Sequence, residues 1–530
     1  MKYIVSGVAV IVVVMMAAVA GRAISDREID YVVDLSETNI PKFQEVAIPF
    51  INQNDGEASL PFLASAIIDV DGDGREELFL GGGHGQQDGL FRFDGTAFVS
   101  LEGALGIEKR DNDTTHGAVV LDFNEDGTQD LIVARESGVW LHENKAGKFE
   151  NRKLELDLRD DTHPLSIAVA DLNGDGYFDM YVSGYIRNDM VQGLNIFNKE
   201  GYGGSSELYI NRGDNTFEKK TADWGLSYTH NTFHSVFIDV DMDGDLDLVV
   251  AHDTGQIRTW ENTGKQFERV DNPNSNVYSY PMGIAVADYD NNGLVDFFFS
   301  NVGSTPPHFM VKGDLRDDQQ HNWKWLLFQN QGDFKLVDNA ERAKLADYEF
   351  AWGNVFEDLN LDGRPDLVVS QNFVSMPLHK VPALRLPGRL LVQNTKGEFA
   401  EVGEQAGVSN PFYSIAPLTA DFNGDGYPDL IHANLAGPSK AFLSEGGNSS
   451  YLKIQLPDTV ASIGAMVTVT RDDGKIFYLP YVSGEGLCSD SSRILVAGLD
   501  GRKAIKVSVR FIDGRVIERE GDFHNELLKL

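Results

Sequence analysis

Asp239-Val-Asp-Met-Asp-Gly-Asp-Leu-Asp247 sets acids at positions 1, 3, 5, 7 and 9 of a nine-residue stretch, with Gly244 at position 6. A hard cation such as Ca²⁺ takes about six to eight oxygens at about 2.3–2.6 Å, and carboxylates spaced this closely supply them from one short loop. The glycine lets the chain turn where φ must be positive. An EF-hand would carry its last acid at position 12 and be flanked by helices. Here the last acid is at position 9, and Phe237-Ile238 before the loop and Leu248-Val-Val250 after it read as strands. The unit is strand, cation loop, strand.

The same unit occurs seven times. Its position-6 glycines are Gly74, Gly127, Gly176, Gly244, Gly293, Gly363 and Gly426. Positions 1, 3, 5 and 9 give the candidate metal ligands. In chain order these are Asp69, Asp71, Asp73 and Glu77; Asp122, Asn124, Asp126 and Asp130; then Asp171, Asn173, Asp175 and Asp179. There follow Asp239, Asp241, Asp243 and Asp247; Asp288, Asp290, Asn292 and Asp296; Asp358, Asn360, Asp362 and Asp366; and Asp421, Asn423, Asp425 and Asp429. The Asp69 and Asp239 loops carry the most charge, and Asn292 at position 5 makes the Asp288 loop the weakest of the set. The expected cofactor is Ca²⁺, acting structurally by neutralising clustered carboxylates.

Loop starts lie 53, 49, 68, 49, 70 and 63 residues apart, the period of a β-propeller blade with some enlarged connections. In each repeat one apolar strand enters the loop, a second leaves it, a third follows, and a fourth is marked by phenylalanine: Phe98, Phe149, Phe217, Phe267, Phe334 and Phe399. Those are six markers for seven loops. The seventh appears at the other end of the chain, in Pro41-Lys-Phe43-Gln-Glu-Val-Ala47. The expectation is an all-β fold: a seven-bladed propeller over residues 41–449, closed by residues 41–48 as the outer strand of the last blade. From residue 450 to 530, short strands between Gly/Asp turns read as a small C-terminal β-domain.

The 530 residues carry 81 Asp and Glu against 45 Lys and Arg, a formal charge of −36. That excess excludes a basic groove for nucleic acid or an anionic bilayer. One cysteine, Cys488, excludes an intramolecular disulfide and reads as a small buried residue rather than a thiol nucleophile. Lys2, an apolar run over residues 3–20 and the small residues Ala18-Val-Ala20 read as a signal peptide of residues 1–20, with an uncleaved N-terminal anchor as the alternative. Either way the bulk of the chain is expected outside the cytoplasm: secreted, periplasmic or on the cell surface. An anchor would be its one link to a membrane.

These repeats resemble the FG-GAP/VCBS repeats of integrin-type propellers. Asn211-Arg-Gly-Asp-Asn-Thr-Phe217 with Asp223-Trp-Gly225-Leu is similar to the version in cartilage acidic protein relatives. Ile463-Gly-Ala465-Met-Val-Thr-Val, Ser483-Gly-Glu-Gly486 and Val507-Ser-Val-Arg-Phe-Ile-Asp513-Gly resemble the ASPIC/UnbV domain that ends those proteins. Leu487-Cys488-Ser-Asp490 departs from the polar-aromatic run usual there. The resemblance implies a calcium-stabilised propeller used for adhesion or other interactions, and it implies no enzyme.

Residues just before each innermost strand should gather near the axis on the face opposite the loops. His116, His163, His234, Tyr280, Trp352 and Tyr413 stand at such positions and form a candidate ligand site for a sugar or peptide, against ordinary channel lining as the plainer reading. His230 and His234 lack the glutamate and the helix of a zinc-protease motif. Arg212-Gly-Asp214 falls where the other repeats have their turn. Two insertions, residues 186–206 and 304–325, are either functional loops or decoration. No catalytic acid/base pair, nucleophile motif or phosphate loop stands apart from the repeats. The function expected is an adhesion or interaction module for glycan or protein ligands. The alternative is a propeller-based polysaccharide lyase or hydrolase.

Overall fold

Apolar runs such as Ala118-Val-Val-Leu121 and Leu131-Ile-Val-Ala134 make strands that are buried on both faces, which requires protein on either side of the sheet. In the computed structural model, sheets stacked around an axis provide it. The structure describes residues 31–54, 59–101, 106, 113–191, 201–304, 318–372 and 385–530. The expected signal or anchor segment lies outside these, as do parts of both insertions. Among the described residues no helix is long and apolar enough to cross a membrane.

Seven sheets repeat one antiparallel meander. The second sheet is typical: Thr115–Leu121, Asp130–Arg135, Gly138–Asn144 and Phe149–Lys153, with Leu121 opposite Asp130 across the acid loop. The first strands are Ser65–Ile68, Thr115–Leu121, Thr162–Ala170, Thr232–Ile238, Ile284–Ala287, Asn354–Glu357 and Tyr413–Ala420. Each packs against the next in chain order, and the last packs against the first. Burial falls outward. In this second sheet the first and second strands are buried throughout, whereas Phe149–Lys153 keeps only Phe149 fully inside.

The ring closes by the predicted seam. Phe43–Ile51 pairs antiparallel with Pro438–Ser444, with Phe43 opposite Ser444 and Ala47 opposite Lys440. Phe43 thus holds the place that Phe149, Phe217, Phe267 and Phe399 hold in their own sheets, opposite the last residue of the third strand. Phe334 departs from this rule. It sits in a turn at φ 55°, and the fourth strand of that blade starts two residues later, at Leu336 opposite Asn330.

The tail forms two sheets. One joins Ile494–Gly498, Tyr451–Gln455 and Glu526–Lys529. The other joins Ile476–Pro480, Met466–Arg471, Ala504–Arg510 and Val516–Phe523. The tail lies over the acid-loop face. Gln129 donates to Asp458 (3.1 Å), Ser492 to Glu76 (2.8 Å) and the Asp500 amide to the Leu361 carbonyl (3.0 Å). Tail residues Leu456, Ile463 and Val467 share one apolar cluster with blade residues Leu172, Phe178 and Leu246.

One tail segment, residues 483–493, enters the axis. First strands of a propeller have an inner edge with no strand beyond it, and its amides need partners. This segment supplies them. Ser65 N–H donates to Cys488 O (3.3 Å), Val120 N–H to Asp490 Oδ2 (2.8 Å), and Ile284 and Gly486 exchange two backbone bonds (2.8 and 2.7 Å). Ser492 N–H donates to Thr419 O (3.1 Å). Ser489–Asp490 even runs as a short parallel strand beside Ser65–Ala66. Gly484, Gly486 and Cys488 all have positive φ, which winds the segment tightly enough to face several blades at once. Cys488 is buried there, and burial pushes its thiol far up, away from reactivity.

Candidate metal centres

The nine-residue loops are drawn together by their own backbone. In every one the position-1 carboxylate accepts the N–H of the position-6 glycine: Gly74 to Asp69 (2.9 Å), Gly127 to Asp122 (2.8 Å), Gly176 to Asp171 (2.9 Å), Gly244 to Asp239 (3.2 Å), Gly293 to Asp288 (2.8 Å), Gly363 to Asp358 (2.7 Å) and Gly426 to Asp421 (2.9 Å). All seven glycines have φ between 83° and 101°, where a side chain is strained.

The position-9 acid closes the loop from beneath. One of its oxygens accepts the N–H of position 2, as Val240 to Asp247 (2.8 Å) and Phe123 to Asp130 (3.0 Å). The other accepts the N–H of the last residue of the third strand: Asn144 to Asp130 (2.6 Å), Asn211 to Asp179 (2.9 Å), Asn262 to Asp247 (2.9 Å), Asn330 to Asp296 (2.7 Å), Gln393 to Asp366 (2.9 Å) and Ser444 to Asp429 (2.7 Å). In the first loop Arg92 takes that place on Glu77. Sequence reasoning counted position 9 as a ligand and missed its second duty as the clamp between loop and third strand. The recurring Asn at the end of that strand was the signal.

These carboxylates are buried close together. Burial, only partly offset by the backbone bonds, pushes Asp130 and Asp179 up to about 7, Asp429 to about 8 and Asp247 to about 9. Burial and then the Asp362 charge hold Asp366 well above the ordinary carboxylate range. Desolvated carboxylates crowded in this way need positive charge to stay ionised, and a bound cation provides it. Three loops bring one oxygen from each of three acids within 4.8 Å of one another: Asp69, Asp71 and Asp73; Asp239, Asp241 and Asp247; and Asp288, Asp290 and Asp296. The donors are all hard oxygens, so the set fits a hard divalent ion.

That grouping corrects the expected ranking. The Asp288 loop is among the three that converge, because Asp296 supplies the third acid. Asn292 brings no charge: its Nδ2 donates to Asn330 O (3.0 Å), and its Oδ1 accepts from Leu294 N–H (2.8 Å), as the position-5 aspartates of the other loops accept from position 7. The protein's own cations also reach several loops, two of these three among them. Lys453 of the tail lies 2.7 Å from Asp421, Arg92 2.7 Å from Asp71, and Arg364 pairs with Asp362. Arg510 approaches Asp239 Oδ2 at 3.3 Å and leaves Oδ1 buried with no hydrogen-bond partner.

The candidate ligand ring at the axis is corrected too. His116, His163, His234, Tyr280, Trp352 and Tyr413 do collect at one end of the ring, but all except the half-buried His163 are buried. Phe62 fills the space they were expected to leave open. Its ring lies 6.5 Å from His116, 6.1 Å from Trp352 and 5.7 Å from Phe233, and Trp352 lies 6.0 Å from Tyr413. Leu487 and Cys488 of the tail complete the same cluster. Packed aromatic core stands where an open mouth was expected.

A family model described as FG-GAP-like repeat matches residues 69–133, 122–182, 194–250 and 239–299. The first, second and fourth of these matches begin at the first aspartate of a loop. Cartilage acidic protein 1 of Homo sapiens is 21% identical over 380 residues, covering 58% of this chain and 55% of that protein. The chain therefore spans about half the length of this curated relative. Among solved structures, the Vibrio cholerae biofilm matrix protein Bap1 is similar with 13% identity and a TM-score of 0.40, covering 86% of this chain and 100% of that one. The extracellular domain of the putative one component system BT4673 from B. thetaiotaomicron has 12% identity and a TM-score of 0.41, covering 83% and 45%. Rhamnogalacturonan lyase YesW has 11% identity and a TM-score of 0.38, covering 76% of each chain.

Proposed function

From the premise that this chain is an FG-GAP-repeat propeller protein, we propose that it is a calcium-binding interaction module working outside the cytoplasm, with a glycan or protein as ligand. The observation that carries the reading is the convergence of three carboxylates in each of the loops at Asp69, Asp239 and Asp288. Calcium outside cells is abundant enough to fill weak oxygen-donor sites. In this reading the ion is structural: it holds the loops closed so that the blade connections on the other face keep their shape. The tail is read as an ASPIC/UnbV-like domain that seals the loop face.

Residues that would hold calcium are those of positions 1, 3 and 5, with position 9 where it converges, as in Asp247 and Asp296. In the Asp421 loop Lys453 already supplies positive charge, as Arg92 does in the Asp69 loop and Arg510 in the Asp239 loop, which lessens each loop's need of an ion.

The experiment is retention of the purified chain on a panel of polysaccharides and envelope fractions, with calcium and with chelator, and with eluates assayed for cleaved product. Calcium-dependent retention without product supports the reading. Cleaved product would replace it with a lyase or hydrolase.

A further inference from the structure

Where the tail meets the fifth, sixth and seventh blades, the two leave a cavity of about 110 Å³ between them. That is room for several waters or for a molecule of a few heavy atoms. Glu357 and Glu485 both line it. Glu357 ends the first strand of the sixth blade, Asn354–Glu357. Its Oε2 accepts from Thr419 Oγ1 of the seventh blade (3.1 Å) and its Oε1 from the Asp358 amide (3.2 Å). Glu485 belongs to the axial segment of the tail, and its Oε2 accepts from Val286 N–H of the fifth blade (3.1 Å).

Two half-buried carboxylates thus share one space. Those are the side-chain bonds they accept, and among the described residues no lysine or arginine pairs with either. Arg493 is the one basic residue on the wall, and its guanidinium is held by Ser483 Oγ (2.8 Å) and Asp490 Oδ2 (3.3 Å) instead. Burial pushes Glu485 up to about 8, and the Glu357 charge adds to this against the bond from Val286. A carboxylate taken out of water without a partner is costly, and a cation beside it offsets that cost.

The chemistry of the wall separates this place from the acid loops. Asp288 and Asp358 also reach the cavity, but each has both oxygens engaged by amides of its own loop: Asp288 by Asn292 (2.9 Å) and Gly293 (2.8 Å), Asp358 by Asp362 (3.0 Å) and Gly363 (2.7 Å). Glu357 and Glu485 belong to none of the three converging acid trios. Much of the remaining wall is apolar or aromatic, with Phe356, Phe477, Tyr478 and Val496 among it. Apolar walls suit carbon, and aromatic faces attract a cation. Acid beside hydrocarbon describes an organic cation rather than a bare metal ion.

We propose that this cavity binds a primary alkylammonium ion, its N–H groups shared between Glu357 and Glu485 and its carbon chain laid against the apolar wall. A primary ammonium carries three donors, enough for both carboxylates, and a quaternary one carries none.

The test is calorimetric titration of the full chain with n-butylamine in saturating calcium, which keeps the acid loops out of the reading. One butylammonium should bind per chain. Tetramethylammonium should bind at least about tenfold more weakly, the worth of one hydrogen bond to a charged group. Glu357→Gln and Glu485→Gln should each weaken butylammonium by a similar factor, with Tm measured alongside to show that the chain is folded. If either variant fails to fold, the comparison of the two ammonium ions on the parent chain still decides. Acetyl-lysine amide, titrated in parallel, separates a free amine from the lysine of a protein partner: binding of either supports the proposal, and the tighter names the source. No saturable binding, binding unchanged in both variants, tetramethylammonium bound as tightly as butylammonium, or binding seen only without calcium would each overturn it.

Discussion

Asn330 of the fifth blade donates its side-chain N–H to the carbonyl of Val240, position 2 of the fourth blade's acid loop, at 2.8 Å. Its own backbone N–H holds Asp296 of the fifth loop at 2.7 Å. One residue thus ties two neighbouring loops together. The pattern recurs in Asn144, which reaches Val70 O at 2.8 Å, and in Gln393, which reaches Tyr289 O at 2.9 Å.

Asn330→Ala should therefore cost about 1–3 kcal/mol, since it strands a buried carbonyl without its donor. Urea denaturation checks this. A loss under about 0.5 kcal/mol would show that the link between blades carries no weight.

Calcium should raise Tm, because an ion bound only by the folded chain stabilises it by mass action, about 2.7 kcal/mol per site at one hundred times Kd. Asp241→Asn should shrink that rise, and Asp425→Asn should shrink it less, because Asp241 is one of three acids whose oxygens converge within 4.8 Å, a grouping that among the described residues the Asp421 loop does not make. Melting curves with calcium and with chelator decide. A rise that is equal in both variants would refute the ranking of the loops.

Without calcium, stability should fall as pH rises. Asp130, Asp179, Asp429 and Asp247 have folded pKa values raised to between about 7 and about 9, against about 3.9 when unfolded. A carboxyl raised on folding contributes fully below its unfolded value, and its contribution is lost as pH climbs through the folded one. The chelated chain should therefore lose Tm steadily from about pH 5 to about pH 9, and calcium should flatten that slope. Thermal melts across the range, with and without the ion, measure it.

Cys488 should resist thiol reagents in the native chain, as it is 1% exposed within the axial segment. Gly486→Ala should change that. At φ 96° the new methyl would fall 2.5 Å from Ser489 Oγ, so the segment is strained in place at a cost of about 1–3 kcal/mol. Labelling rate at Cys488 then reports release of the segment, and a rate unchanged from the parent would deny its role in sealing the axis.

The acid loops, their flanking strands and the Phe43 seam were legible in the sequence because each is set by residues a few positions apart. Phe334 misled because it looks like the other markers, but Asp333 and Phe334 both adopt positive φ and delay the strand. Val516–Phe523 went unread because its sequence, Val-Ile-Glu-Arg-Glu-Gly-Asp-Phe, offers no buried alternation; most of that strand is exposed. The ring of His116, Trp352 and Tyr413 was placed at the right end of the axis, but not its filling. Phe62 precedes the first blade and Leu487 lies about four hundred residues away, so local pattern could not show that they meet.

Phe62 and Leu487 meet in one buried cluster on the axis, so among the described residues the centre of the ring is packed with side chains. The molecule is a ring filled by side chains and backed by its own tail, so a glycan or protein ligand of the proposed kind would be met on its outer surfaces.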